Sequence, residues 1–324
     1  MTAGADAVCW ALMESAVRLT GVSKSFREHR AVEDLDLEIP EGSVYGFIGP
    51  NGSGKTTTLR LILRMILPDT GRVEVLGQGV GGPSGASIAY LPEERGLYRK
   101  IPVRRQLIYF GLMKGLRRRE AARAADAWLE RFELTDWARE KTETLSKGMT
   151  QKVQFAASVM AKPRLLILDE PFSGLDPVNM DLLRSIVFEL RREGTTVIFS
   201  THDMHMAEQM CDRVLMIYRG KKVLDGTVGS IREEYGADMV RIDLEPGNAW
   251  NPQGVPGVGA IRERSGGYEF RAEGDVSRLL RAALEAGGVT RFERIHPTLH
   301  DIFVRIARPE PEELATLGSG EAAS

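Results

Sequence analysis

Residues Gly49-Pro50-Asn51-Gly52-Ser53-Gly54-Lys55-Thr56 have the form G-x-x-x-x-G-K-T. That spacing suits the holding of a polyphosphate. The glycines let backbone N–H groups converge on phosphate oxygens, and a following helix adds a favourable dipole. Lys55 can reach the β- and γ-phosphates, and the Thr56 hydroxyl can ligate magnesium. A nucleoside triphosphate is the expected ligand, held from Gly49 through Thr57. Downstream, Leu165-Leu166-Ile167-Leu168-Asp169-Glu170 is an aliphatic run ending in two carboxylates. A central parallel strand delivers acids to its C-terminal edge in this way. Asp169 is expected to hold magnesium, directly or through water, and Glu170 to polarise an attacking water. A second apolar run, Thr195-Thr196-Val197-Ile198-Phe199-Ser200, ends in Thr201-His202-Asp203. His202 at that matching edge can donate a hydrogen bond to a γ-phosphate, although a lone histidine is more often structural.

These groups need strands and helices to aim them. Val44-Tyr45-Gly46-Phe47-Ile48 reads as the strand before the glycine loop, and Leu59, Ile62, Leu63 and Ile66 fall at helical spacing after it. Residues 16–19 and then Leu35, Leu37 and Ile39 alternate as two antiparallel edge strands. Between them Phe26 is either a ring exposed for stacking on a base or a satellite core residue. Strands follow at 72–76 and 88–91, separated by a Gly/Pro-rich stretch, 77–85, that reads as a mobile loop. From 103 to 161 the pattern turns helical, with helices at 104–116, 119–132 and 151–160. Arg117-Arg118-Arg119 lies in this insert, where a solvated helix start is the stronger reading over contact with lipid head groups. Leu145-Ser146-Lys147-Gly148-Met149 precedes the last of these helices, so Ser146 and Gly148 offer a hydroxyl and an unobstructed N–H beside a helix N-terminus. Taken alone, that is a helix cap. After the acids, Ser173-Gly174-Leu175-Asp176-Pro177 makes a turn into a helix at 179–192, and 214–217 with 222–225 form a hairpin around Arg219-Gly220. His205 and its neighbouring methionines read as packing and surface.

The chain has 324 residues, 43% hydrophobic and 27% charged, with a formal net charge of −2. That length and composition describe a globular protein with one large domain and a small one, and the charge leaves no basic footprint for nucleic acid. Cys9 and Cys211 are too few for a disulfide framework. No stretch approaches the ~18 consecutive apolar residues of a membrane span, so membrane work requires another chain. Residues 1–15 are expected to be disordered, with Met13 the true start, and 16–235 form the nucleotide domain with its helical part at about 100–162. The segment 236–308 carries strands at 239–244, 261–263, 268–271 and 290–295 and helices at 276–286 and 299–306, a small α+β domain. The tail 309–324 is Glu/Ala/Gly-rich and expected to be disordered.

Taken in order, the glycine loop, Glu93, residues 145–149, Leu168-Asp169-Glu170-Pro171, the 173–176 turn and His202 resemble the ATP-binding subunit of an ABC transporter over about residues 16–230. The resemblance implies an α/β P-loop NTPase of the ABC type, with an antiparallel β subdomain and a helical insert. It implies ATP and Mg2+ as cofactors, and head-to-tail pairing with a second copy or a homologous subunit. Lys55 and Thr56 of one chain then work with Ser146 and Gly148 of the other, Asp176 is a further nucleotide-site residue, and Glu170 and His202 sit at the γ-phosphate. Phe26 takes the adenine-stacking position. Glu93 stands where most members carry glutamine and is expected to ligate magnesium. Lys147 and Met149 depart from the usual Leu-Ser-Gly-Gly-Gln. The run Tyr90-Leu91-Pro92-Glu93-Glu94-Arg95-Gly96-Leu97-Tyr98 is similar to the sodium-extrusion type that serves ABC-2 exporters, a group also linked to drug and antibiotic export. The expected setting is the cytoplasmic side of the cell membrane, through a separate multi-span permease. The rival readings are a soluble ABC-type ATPase of DNA repair or translation and a non-hydrolysing module that uses ATP only to dimerise.

Overall fold

The computed structural model describes residues 14–79, 87–94, 96–236, 239–272, 274–295 and 297–307. The tail expected to be disordered, nearly all of the expected N-terminal one, the proposed start at Met13, most of the loop read at 77–85, and Cys9 and His296 lie outside the described residues.

Three strands, β3 (Val44–Ile48), β6 (Leu165–Asp169) and β7 (Thr196–Thr201), are buried along their whole length. They form the centre of a six-stranded sheet with β5 (Ile88–Leu91), β8 (Arg213–Tyr218) and β9 (Lys221–Thr227), in the order β5-β6-β7-β3-β8-β9. The pairs β5/β6, β6/β7, β7/β3 and β3/β8 are parallel. A sheet covered on both faces explains the uninterrupted apolar runs. Alternate residues feed two cores: Leu165 and Ile167 pack with Tyr45, Phe47 and Ile198, whereas Leu166 and Leu168 pack with Val44, Val197 and Phe199.

The first core is shared with α1 (Lys55–Ile62) and with an antiparallel sheet ordered β2-β1-β4, made of β1 (Ser15–Phe26), β2 (His29–Pro40) and β4 (Thr70–Val75). β1 and β2 run further than their alternation predicts. Lys24, Ser25 and Phe26 pair with Val32, Arg30 and His29 through register shifts, at an exposed end where the apolar pattern fades. The second core carries α2 (Val103–Met113), α3 (Arg118–Arg131), α4 (Lys147–Val159) and α5 (Pro177–Arg192), with α6 (Met204–Met210) following β7. Gln106, fully buried, accepts from the Tyr98 N–H at 2.6 Å and donates to Thr142 Oγ1 at 2.8 Å, tying the start of the helical part together.

The second compact unit spans Gly226–Pro309. It begins with α7 (Val228–Gly236), a helix absent from the sequence reading, so its start falls before the 236 expected. An antiparallel sheet ordered β11-β12-β10-β13 follows, from β10 (Met239–Leu244), β11 (Val258–Arg264), β12 (Gly267–Ala272) and β13 (Val289–Ile295). Its core joins Val240, Ile242, Phe270 and Trp250 to Leu279 and Ala283 of α8 (Val276–Ala286). The last helix, α9 (Leu299–Ala307), reaches α7 where Arg305 donates to the Tyr235 carbonyl at 3.1 Å.

Candidate active site

The glycine loop joins β3 to α1 in a conformation that requires its glycines. Gly54 has φ 113°, and a Cβ there would lie 2.3 Å from the Ala31 carbonyl oxygen. Gly49 has φ 147°, and its Cβ would lie 2.1 Å from the Ile217 carbonyl oxygen. The loop is therefore clasped between β2 and the β8–β9 hairpin, whose Gly220 N–H donates to the Ser53 carbonyl at 2.9 Å. Ser53 Oγ is buried without a hydrogen-bond partner. Inside the loop the buried Lys55 ammonium donates to the carbonyls of Gly49 at 2.6 Å and Pro50 at 2.9 Å. Burial lowers its pKa, opposed by the attraction of Glu170, Asp169 and Glu93. No side chain caps α1, so its first N–H groups have no side-chain acceptor, as an anion site would require.

Opposite stand the acids of β6. Asp169 is registered with Ser200 of β7, and the Ser200 hydroxyl donates to Asp169 Oδ1 at 2.5 Å while accepting the Glu170 N–H at 3.1 Å. Thr56 Oγ1 donates to the same Oδ1 at 3.2 Å, and Tyr90 donates to Oδ2 at 3.3 Å. Burial, reinforced by the Asp169 charge, pushes the Tyr90 hydroxyl up to about 12, so it stays a donor. Glu170 has φ 48°, a left-handed conformation unusual for a non-glycine residue, at the position expected to orient water. Its Oε1 lies 3.1 Å from His202 Nδ1. That hydrogen bond, helped by the carboxylate charge and opposed by burial and by Lys55, raises the His202 pKa.

One cleft is lined by Phe26, Asn51, Gly52, Gly54, Lys55, Thr56 and Thr57 together with Glu93 and Glu170. Phe26 is 47% exposed, with Lys24 Nζ 5.7 Å from its ring centroid, and is not a core residue. Glu93 also lines a second recess with Lys147, Asp169 and Glu170. Ser146, Gly148 and Asp176 line neither. Ser146 caps α4 by accepting the Met149 N–H at 3.2 Å, and Asp176 caps α5 by accepting the Asn179 N–H at 3.0 Å. The Asn179 backbone and side-chain N–H groups hold the Asp176 carboxyl below its ordinary range. These two turns are neighbours: a Cβ at Gly148 would lie 3.6 Å from Asn179 Nδ2, and one at Gly174 would strike Lys147 Nζ.

Two residues of the acid network, Ser200 and Tyr90, escape sequence reasoning. Ser200 carried a signal, since parallel strands that end together place their last residues side by side. Tyr90 carried none, because its hydroxyl acts beyond its own register partner, Ile167. As for a metal, no group of three or more His, Cys, Asp or Glu stands together among the described residues. The Thr56 hydroxyl and Asp169 carboxylate are hard oxygen donors on one spot, a set that suits a small divalent cation whose remaining ligands are phosphates and water.

Residues 32–173 match the ABC transporter family, and residues 226–307 match the family described as ATP-binding protein DrrA1-3-like, C-terminal domain. The uncharacterized ABC transporter ATP-binding protein YhaQ of Bacillus subtilis is 42% identical over 285 residues, covering 87% of this chain and 95% of the relative. The daunorubicin resistance ATP-binding protein DrrA3 of Streptomyces coeruleorubidus is 32% identical over 306 residues, 91% of this chain and 96% of the relative. The Nod factor export ATP-binding protein I of Rhizobium sp. (strain N33) is 33% identical over 308 residues, 92% and 99%. A solved structure of the ATP binding subunit of an ABC transporter superposes with a TM-score of 0.64 at 28% identity, covering 68% of this chain and 93% of that one. This chain belongs to the ATP-binding proteins of ABC transporters and carries the DrrA-like C-terminal domain; its reaction is the hydrolysis of ATP. The fold is the P-loop α/β fold with its antiparallel β subdomain. No helix among the described residues is long and apolar enough to cross a membrane.

Proposed function

We propose that two copies of this chain, or one copy and a homologous subunit, close head to tail on ATP and Mg2+ and drive an ABC-2-type exporter through separate membrane-spanning subunits. The supporting observation is the divided site. Lys55, Thr56, Glu93 and Glu170 share a cleft, while Ser146, Gly148 and Asp176 cluster on exposed turns outside it. A second copy would bring those turns onto the γ-phosphate. Thr56 and Asp169 would hold the magnesium, with Glu93 lining the same cleft, and the metal would offset charge on the phosphates. Lys55 adds a fixed positive charge, Glu170 orients water, and His202 is held by Glu170 at the γ-phosphate end. Phe26 stacks on the base.

The permease is proposed to seat a cytoplasmic helix against the face between Glu93 and Tyr109, where Tyr98 and Tyr109 are 52% and 43% exposed. On this reading the chain works on the cytoplasmic side of the membrane, held by its partner. Relatives named for daunorubicin resistance, Nod factor export and linearmycin resistance favour an organic cargo over sodium. The Asp169-Glu170 pair and its network oppose a module without turnover. Glu170→Gln is expected to bind ATP, accumulate as a closed dimer on gel filtration and lose steady-state hydrolysis. Unimpaired turnover by that variant would remove Glu170 from its role. Co-purification with a multi-span membrane protein tests the permease, and uptake of daunorubicin against sodium into inverted vesicles tests the cargo.

A further inference from the structure

The hairpin of α2 and α3 is strongly basic in a chain that is not. Residues 99–131 hold ten Lys/Arg and three Asp/Glu, although the formal net charge of the whole chain is −2. The acids in this segment are largely committed: Asp126 pairs with Arg104 at 2.5 Å, and the Glu120 carboxylate accepts the Arg117 N–H at 2.8 Å. Arg117, Arg118, Arg119 and Arg123 are exposed and, among the described residues, form no ion pair. Three of them stand at the cap and first turn of α3, the positive end of the helix dipole, where cations are disfavoured.

The same tip is apolar. α2 ends in a tight reversal at Gly115 (φ 88°), with the Gly115 N–H on the Leu112 carbonyl and the Leu116 N–H on the Gly111 carbonyl, both at 3.0 Å. Close packing of the two helices follows, since a Cβ on Gly111 would lie 2.9 Å from Ala121 Cβ. Leu112 (44% exposed) and Met113 (69% exposed) are thereby brought to the tip that carries Arg117–119.

Unpaired arginines beside exposed aliphatics are the two components of an interfacial lipid contact: cations for phosphates, apolar side chains for the acyl boundary. We propose that this hairpin tip rests on a membrane surface rich in anionic phospholipid, with Arg117, Arg118 and Arg119 on the head groups and Leu112 and Met113 beneath them. A free phosphate or a nucleic acid would satisfy the arginines and leave the aliphatics in water. The contact rests on the membrane-bound reading above for its setting, but it requires neither permease nor ATP. It would fix the helical part of the chain against the bilayer, independently of the partner's grip.

The test is flotation of the full chain with phosphatidylglycerol/phosphatidylcholine vesicles against pure phosphatidylcholine. Binding is expected to the anionic vesicles only and to fall as salt is raised. An arginine near an anionic surface is worth about fivefold in partition, so the triple variant Arg117→Gln/Arg118→Gln/Arg119→Gln should bind on the order of a hundredfold more weakly. Met113→Gln should weaken binding without changing its salt dependence. The triple variant should melt no lower than the wild type, because it relieves the helix dipole, and should hydrolyse ATP in solution at the wild-type rate. Equal partition of variant and wild type, equal binding to neutral vesicles, or no vesicle binding by the wild type each overturns the proposal. Loss of the permease with vesicle binding unchanged also overturns it, and would assign the arginines to an acidic segment of that subunit. A loss of ATP turnover by Glu170→Gln with no vesicle binding would leave the transport reading standing and the lipid contact refuted.

Discussion

Asp169 is held by three hydroxyls, from Thr56, Ser200 and Tyr90, and the Ser200 side chain also fixes the backbone of Glu170. Ser200→Ala should cost about 1–3 kcal/mol of stability, the usual consequence of stripping a buried acceptor of its donor, read from urea unfolding. It should also lower turnover, since Glu170 loses the bond that anchors its left-handed backbone. The His202–Glu170 pair carries a pH dependence of definite sign. The folded His202 pKa lies above the ordinary ~6.5, so the pair's stabilisation is complete below that value and is lost as pH rises through the folded pKa. NMR titration of Glu170→Gln should show the His202 pKa falling towards its ordinary value. At this scale the placement of Asp169, Glu170 and His202 at neighbouring strand ends was legible, because acids and histidine there stand out against aliphatic runs. Phe26 was not decided by its neighbours, since an aromatic ring suits core and surface alike until its exposure is known.

Among the elements, the central strands were the most legible, because a sheet packed on both faces writes itself as unbroken aliphatics. Leu168→Ala, at a fully buried position of β6, should cost about 2–5 kcal/mol in urea unfolding. Gly54→Ala should do damage of another kind. Its Cβ would strike the Ala31 carbonyl at 2.3 Å, so nucleotide affinity, measured by calorimetry, should fall together with stability. Helix starts were less legible: α4 begins at Lys147, before the apolar periodicity that set the expected start at 151, and its real marker is the Ser146 cap. α7 escaped because, among its described side chains, Ile231 alone is deeply buried and gives no periodicity to count. The boundary of the second unit moved with it.

For the molecule as a whole, the Gly226–Pro309 unit has a core of its own around Trp250, Phe270 and Leu279. Expressed alone it should unfold cooperatively by circular dichroism; a non-cooperative melt would show that its stability depends on the rest of the chain. The proposed pairing of two copies rests on resemblance, because a single sequence carries both sets of turns without saying whether one chain or two supplies a site. The clasp on the glycine loop bears on timing. With Gly54 against Ala31, Gly49 against Ile217 and Gly220 bonded to Ser53, the loop's shape is held by contacts within the chain itself. A phosphate cradle that need not refold places no activation barrier of its own before nucleotide exchange. Replacement of ADP by ATP should then have a shallow temperature dependence, and the slow step of each cycle should lie in uncovering the cleft.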